Sequence, residues 1–394
     1  MAVSGIMSET GAEPIDPVAA PFFEPLRLRG MTIRNRIAMA PMTREASPRG
    51  VPAAAVAAYY RRRAAGGVGL IVTEGVGIEV PVAVDGPAIP HMYGEPALAG
   101  WKAVVDAVHA EGAVIVPQLW HQGCLRDPAR SAFPELPGHR PSGLWGTPGL
   151  VSYEADYIAR VSAPTAPMTD EDIADVIAAY AAAARNAVGV GFDGIAIHGA
   201  HGYLIDSFFW RETNTRSDRF GGDARARAEF GVEVVQAIRR EIGEERPIIF
   251  RFSQHKQQDY KARFADSPEE LGVMLGALAD AGVDLFDASS RRFDMAAFAG
   301  SPLNLAGWAR KLTGKPSMVV GGIGLNNWLQ DTFKGRGETL AINNLAEVRR
   351  LFDAGMFDMI AVGRALISDP AWVEKARTGQ PFVPYDVTSL ARLA

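Results

Sequence analysis

The chain has 394 residues, 48% of them hydrophobic and 22% charged, with a formal net charge of −5. A chain of this size and apolar content builds a core without disulfide or metal staples. Its acidic balance gives neither the basic footprint of a nucleic-acid binder nor a polybasic membrane patch. Cys124 is the single cysteine, which excludes an intrachain disulfide and an iron–sulfur cluster of about four thiolates. One free thiol fits a reducing, cytoplasmic compartment. No apolar run reaches the ~18 residues of a membrane span. Residues 1–20 lack the basic start and apolar stretch of a signal peptide and are read as a frayed, flexible tail.

Between Phe22 and Arg36 the run FEPLRLRGMTIRN, with Gly30 near its turn, reads as a β-hairpin. Short apolar runs follow at 37–42, 69–73, 114–118, 194–198, 248–252, 285–288, 318–320 and 359–362, each taken as a strand. Between them, apolar residues recur every three or four positions over 56–65, 97–111, 170–188, 225–242, 268–281 and 345–354, as in amphipathic helices. The third helix opens on Thr169 with Asp172 three residues later, a variant of the capping box.

Eight strands alternating with helices imply parallel pairing through right-handed crossovers. The count fits a closed (β/α)8 TIM barrel of the α/β class better than a doubly wound sheet. Against the open sheet, Thr-Arg-Glu-Ala-Ser follows Met42 where a dinucleotide fold would place G-x-G-x-x-G. Residues 21–394 are read as one domain, with 122–167, rich in Pro, Gly and Ser, as a capping insertion after the third barrel strand. The polar run 253–267 follows the fifth. Both lie at the carboxyl ends of strands, the face where barrels keep their sites.

The stretch 194–205, GIAIHGAHGYLI, is the most chemical of these strand ends. His198 and His201 can hydrogen-bond an oxygen and Tyr203 can give up a proton, the elements of carbonyl polarisation and general-acid catalysis. As metal ligands the histidines need a third partner, for which only Asp206 offers itself. Other strand ends supply Pro41, Met42, Thr43, Glu74, Gly75, Gln118, Trp120 and His121. Gly321-Gly322-Ile323-Gly324 and Gly363-Arg364 end the last two strands, where barrels bind phosphate on backbone N–H groups. Arg251 lies inside an apolar strand, so it either forms a structural ion pair or faces a ligand that develops negative charge, such as a reduced flavin.

These residues resemble the old yellow enzyme family of FMN-dependent ene-reductases over nearly the whole chain. The resemblance runs from FEPLRLRGMTIRNRIAMAPMTR through HGAHGYLIDSFFWRETNTRSDRFGG to VGRALISDPAW. It implies FMN at the carboxyl face of the barrel, with NADPH or NADH as reductant and an enone as small-molecule substrate. By that resemblance Thr43 bonds the flavin O4, Pro41 and Met42 back the ring, and Gly75 lies against it. Gln118 bonds the pyrimidine edge, and Arg251 stabilises the reduced flavin at N1 and O2. Gly322, Ile323, Gly363 and Arg364 hold the phosphate. His198 and His201 bind the substrate carbonyl, Tyr203 protonates the α-carbon, and Trp120 shapes the pocket. No resident metal is implied.

Threonine at 43 resembles the branch without cysteine there, and the missing cysteine cluster sets the chain apart from the iron–sulfur relatives. The runs SQHKQQDY (253–260) and GRGETLAINN (335–344) depart from the family pattern. An FMN enzyme that oxidises, demethylates or isomerises a specialised metabolite is one alternative, and a flavin-independent metal enzyme of the barrel class is another. The sequence leaves monomer and homodimer both open.

Overall fold

The computed structural model describes residues 14–151, 153–327 and 337–393. Leu26–Leu28 (β1) and Met31–Ile33 (β2) form the expected hairpin, antiparallel, with Leu26 opposite Ile33. Eight further strands close into one parallel barrel: Ile37–Met39 (β3), Leu70–Gly77 (β4), Val114–Trp120 (β5), Ile195–His198 (β6), Ile248–Phe252 (β7), Leu285–Ser289 (β8), Ser317–Val320 (β9) and Met359–Val362 (β10). The order runs β10-β3-β4-β5-β6-β7-β8-β9, each paired with its sequence neighbour and β10 closing on β3. The doubly wound alternative is thereby overturned, since an open sheet keeps two edges.

Strand side chains alternate between two faces, both buried, and the packing follows that alternation. Ala38, Leu70, Val72, Val116, Ala196, Ile249, Leu285, Met318 and Met359 fill the barrel interior. Leu28, Met31 and Ile33 of the hairpin join the same cluster. The hairpin therefore plugs the amino-terminal end of the barrel. The opposite strand faces, with Ile37, Ile71, Ile115, Ile195, Ile197 and Phe250, pack on the surrounding helices.

Helix Asp170–Gly189 carries the expected capping box: Asp172 N–H donates to Thr169 Oγ1 at 3.1 Å and Thr169 N–H to Asp172 Oδ2 at 2.7 Å. Two strands differ most in extent from the sequence reading. β3 ends at Met39 because residues 40–44 leave the sheet to line the cavity above it. β4 continues to Gly77 through a bulge between Val72 and Gly75. Thr73 bridges the interruption, its Oγ1 accepting from Gln118 N–H at 3.1 Å and donating to Glu74 O at 2.8 Å. The polar residues at 73–75 hid this continuation from a hydrophobicity pattern. Helix Leu305–Thr313 between β8 and β9 is short and was not expected.

Of the tail expected to fray, residues 1–13 lie outside the described residues. Residues 16–20 are instead held: Asp16 N–H donates to Arg377 O at 2.7 Å, and Ala19 is buried. The insertion after β5 has its own small core of Cys124, Leu125, Trp145 and Val161, against which Tyr153, Tyr157 and Tyr203 pack. Buried arginines tie its turns, Arg126 to Leu136 O and Arg140 to Val161 O, both at 2.6 Å. No helix among the described residues is long and apolar enough to cross a membrane.

Candidate active site

The carboxyl ends of the strands surround a cavity of about 460 Å³, within the ~300–1,000 Å³ of small-molecule sites. Every site residue expected from the sequence lines it: Pro41, Met42, Thr43, Gly75, Gln118, Trp120, His198, His201, Tyr203, Arg251, Gly322, Ile323, Gly363 and Arg364. Three sectors can be told apart by their chemistry.

The first sector is aromatic. β6 delivers His198, and the turn beyond it delivers His201 and Tyr203. The His198 ring lies 4.7 Å from the Tyr203 ring and 5.1 Å from the His201 ring, centroid to centroid. Trp120, at the end of β5, stacks on His198 at 6.0 Å and meets Tyr203 edge-on at 4.9 Å. This packing explains Gly75, where an added Cβ would lie 2.4 Å from the Trp120 indole.

His201 adopts φ +66°, a left-handed conformation that costs a non-glycine residue of order 1–3 kcal/mol and is tolerated where neighbours enforce it. Here His201 N–H donates to Ser253 Oγ at 3.0 Å and His201 O accepts from Gln257 N–H at 3.0 Å. Burial, with Arg251 beside it, pushes the His198 imidazole well below its usual range, so it is neutral. Its Nδ1 accepts from Ala200 N–H at 3.4 Å, which leaves the ring proton on Nε2. His201 is held differently, its Nε2 2.8 Å from Ser289 Oγ. Burial also raises the Tyr203 phenol above its ordinary value, so it keeps its proton through neutral pH.

The second sector is a set of buried donors. Arg251 and Asp287 sit opposite each other on β7 and β8 and form a buried ion pair. Arg251 Nη2 also donates to Ser289 Oγ at 3.2 Å. The structural reading of Arg251 therefore holds, yet its Nε has no protein partner among the described residues, and neither has Gln118 Nε2. Buried donors left unpaired cost ~1–3 kcal/mol each, so two in one cavity wall point to a ligand rich in acceptors.

The third sector is the glycine-rich end. Gly321, Gly322 and Gly324 all have positive φ, which glycine alone adopts freely. A Cβ on Gly322 or Gly363 would meet nothing closer than 3.6 Å, so both backbones stand open to a ligand. The Ile323 side chain belongs to the core, so only its backbone is on offer. Arg364 is fixed by a 2.7 Å bond from Nη2 to Asn327 O.

Asp206 is not available to complete a metal site with the histidines. Its Oδ1 accepts from Lys256 Nζ at 2.7 Å and its Oδ2 from Gly202 N–H at 2.6 Å, with both side chains of the ion pair fully buried. Among the described residues no three His, Cys, Asp or Glu converge as metal ligands.

Sequence reasoning assigned no role to several other lining residues: Arg44, His255, Gln257, Tyr260, Ser289, Arg291 and Leu390. The polar run 253–267 was the visible signal for His255, Gln257 and Tyr260. Arg291 lies 3.5 Å over the Tyr260 ring, a contact between distant loops with no local signature. Residues 335 and 336 of the second departing segment lie outside the described residues.

Glu74, in the β4 bulge, is a buried carboxyl beside this cavity. Its Oε2 accepts from Arg44 N–H at 2.8 Å and Glu45 N–H at 3.0 Å, while Oε1 lacks a partner among the described residues. Burial dominates and pushes its pKa up to about 7 from 4.5. A carboxyl raised on folding contributes stability that is full below the unfolded value and lost as pH climbs to the folded one. Between pH 4.5 and 7 that loss amounts to about 3 kcal/mol at ~1.4 kcal/mol per unit. Glu74→Gln keeps the two accepted bonds without the charge. It is expected to match the parent in urea melts at pH 4.5 and to exceed it by about that amount at pH 8. An equal difference at both pH values would show that Glu74 does not titrate in this window.

Comparison with known proteins places this geometry. The sequence model of the NADH:flavin oxidoreductase / NADH oxidase family matches residues 21–382. Chanoclavine-I aldehyde reductase fgaOx3 of Penicillium roqueforti (strain FM164) is 35% identical over 372 residues, 92% of this chain and 91% of that protein. The solved old yellow enzyme homologue from Zymomonas mobilis superposes with a TM-score of 0.76 at 26% identity, covering 94% of this chain and 96% of that one. Morphinone reductase in complex with tetrahydroNAD superposes with a TM-score of 0.76 at 25% identity, covering 94% and 93%. A match across the barrel and every strand end of its cavity places the chain in the NADH:flavin oxidoreductase / NADH oxidase family, the old yellow enzyme family of FMN-dependent enzymes that use NADH or NADPH.

Proposed function

We propose that this enzyme reduces the C=C bond of an α,β-unsaturated carbonyl compound, with Tyr203 as proton donor and His198 and His201 on the carbonyl oxygen. The observation that carries the reading is one wall holding a protonated phenol and a neutral imidazole, with ring centroids 4.7 Å apart. Adding hydride at a β-carbon drives charge onto the carbonyl oxygen and calls for a proton at the α-carbon. A neutral His198 with its proton on Nε2 is a donor for that oxygen. Tyr203, kept protonated by burial, is an acid for that carbon.

The residues present fit FMN. Gln118 Nε2 and Arg251 Nε are buried donors in want of acceptors, which the pyrimidine edge of a flavin provides. Pro41 and Met42 are half-buried apolar surface for its ring, and Thr43 exposes a hydroxyl beside them. Gly322, Ile323, Gly363 and Arg364 suit its phosphate through backbone N–H groups and one guanidinium. When bound, FMN supplies the two-electron hydride chemistry that no side chain here possesses. Trp120 bounds the acceptor's space from the β5 side.

The protein with NADPH or NADH should convert 2-cyclohexen-1-one to cyclohexanone and cinnamaldehyde to the saturated aldehyde, followed by gas chromatography. The enal is included because the Penicillium relative is named for an aldehyde. Allylic alcohol as product, or no consumption of either, would overturn the reading. His198→Ala should weaken binding of a phenol, whose oxygen mimics the enolate, about tenfold or more, as loss of a hydrogen bond to a charged group at ~1.5–3 kcal/mol implies. Equilibrium titration measures it, and unchanged affinity would remove His198 from that oxygen.

A further inference from the structure

Tyr203 does not stand alone. Gln257 Nε2 donates to its hydroxyl oxygen at 3.0 Å. The Tyr153 hydroxyl forms a second hydrogen bond to it, and both contacts favour the charged form of the phenol. A phenol oxygen has two lone pairs and one proton. Gln257 fills one lone pair through an N–H that cannot accept, so the phenol's own O–H points away from that amide and is free to turn to the cavity.

Gln257 comes from the departing run 253–260, and that run is pinned. Lys256 Nζ pairs with Asp206 in the short helix Leu204–Phe209 that follows the turn after β6, Gln257 N–H donates to His201 O, and Gly149 N–H to Gln258 O at 2.9 Å. The loop is thus fastened on both sides of the residue that meets the phenol. Tyr153 arrives from the capping insertion.

We propose that Gln257 is a positioning residue for the proton-transfer step: its amide donor directs the Tyr203 proton away from itself and toward the cavity and, with Tyr153, stabilises the phenolate left behind. The proton goes from Tyr203 Oη to the α-carbon as hydride reaches the β-carbon, and solvent later returns a proton to the phenolate. This rests on the reading of Tyr203 as the acid.

Two variants separate it from a structural role. Gln257→Met removes the donor at similar size. Gln257→Glu replaces it with a group that donates when protonated but accepts the phenol proton when ionised. The titratable groups facing this phenol are Tyr153, Tyr157, Tyr260, His198, His201 and, through space, Asp85. The readout is the rate of cyclohexenone reduction divided by the rate of ferricyanide reduction, an acceptor that needs no proton at carbon. Gln257→Met is expected to lower that ratio about tenfold. Gln257→Glu should lower it further at pH 8 and recover toward the parent ratio as pH falls to 5, a dependence absent from the parent. A ratio unchanged in both variants, or a fall common to both acceptors, overturns the proposal. Tyr203→Phe, assayed alongside, tells its failure apart from that of the underlying reading: if that variant keeps full enone reduction, Tyr203 is not the acid at all.

Discussion

Tyr203→Phe is expected to retain NAD(P)H oxidation with ferricyanide while losing ~10²–10⁴-fold in cyclohexenone reduction, the usual share of a positioned general acid. The phenyl ring keeps the volume of the phenol. Its edge contacts with Trp120 at 4.9 Å and His198 at 4.7 Å should survive, so the cavity keeps its shape. What goes is the single O–H that burial holds protonated. The two half-reactions therefore part company, and stopped-flow measurement of each reads the split directly. Equal loss in both would mean that the ring, not the hydroxyl, was the important part.

The second large effect concerns a residue that touches no substrate. Lys256→Met should destabilise the protein by ~3–5 kcal/mol, the cost of stranding one partner of a buried ion pair. Lys256 and Asp206 are both fully buried. Without the ammonium, Asp206 keeps only the Gly202 N–H. The damage should fall on the turn that carries His201 and Tyr203, so enone reduction should fall together with the urea midpoint. Lys256→Met combined with Asp206→Asn removes the stranded charge and keeps the accepted bond, and most of the stability should return. If the double variant were no more stable than the single one, the pair would not be acting as a pair.

What the sequence made legible follows from what is local. The eight strands show as apolar runs because a closed barrel buries both faces of each, and Thr169 and Asp172 announce a helix start because capping is a four-residue event. Strand ends are adjacent in space by construction, so Gln118, His198, Arg251 and Arg364 gather into one site from the sequence alone. Long-range contacts are another matter. Arg251 could be assigned an ion pair, but Asp287 as its partner depends on the register of β7 and β8. Asp206 could be offered as a third metal partner only because Lys256, which occupies it, is 50 residues away. Gln257 sits in a run marked by its polarity and its departure from the family pattern, neither of which shows that its amide meets a phenol in the turn after β6.

The far end of the polypeptide carries a practical lesson. Leu390 forms part of the cavity wall, and Arg44 Nη2 fastens that stretch by donating to Ser389 O at 3.2 Å, Leu390 O at 3.1 Å and Arg392 O at 2.7 Å. All three acceptors fall beyond residue 382, where the family match stops. An expression clone trimmed to those limits would therefore carry every strand-end motif and still lack Leu390 from its cavity wall, leaving the Arg44 guanidinium without the three carbonyls that hold it.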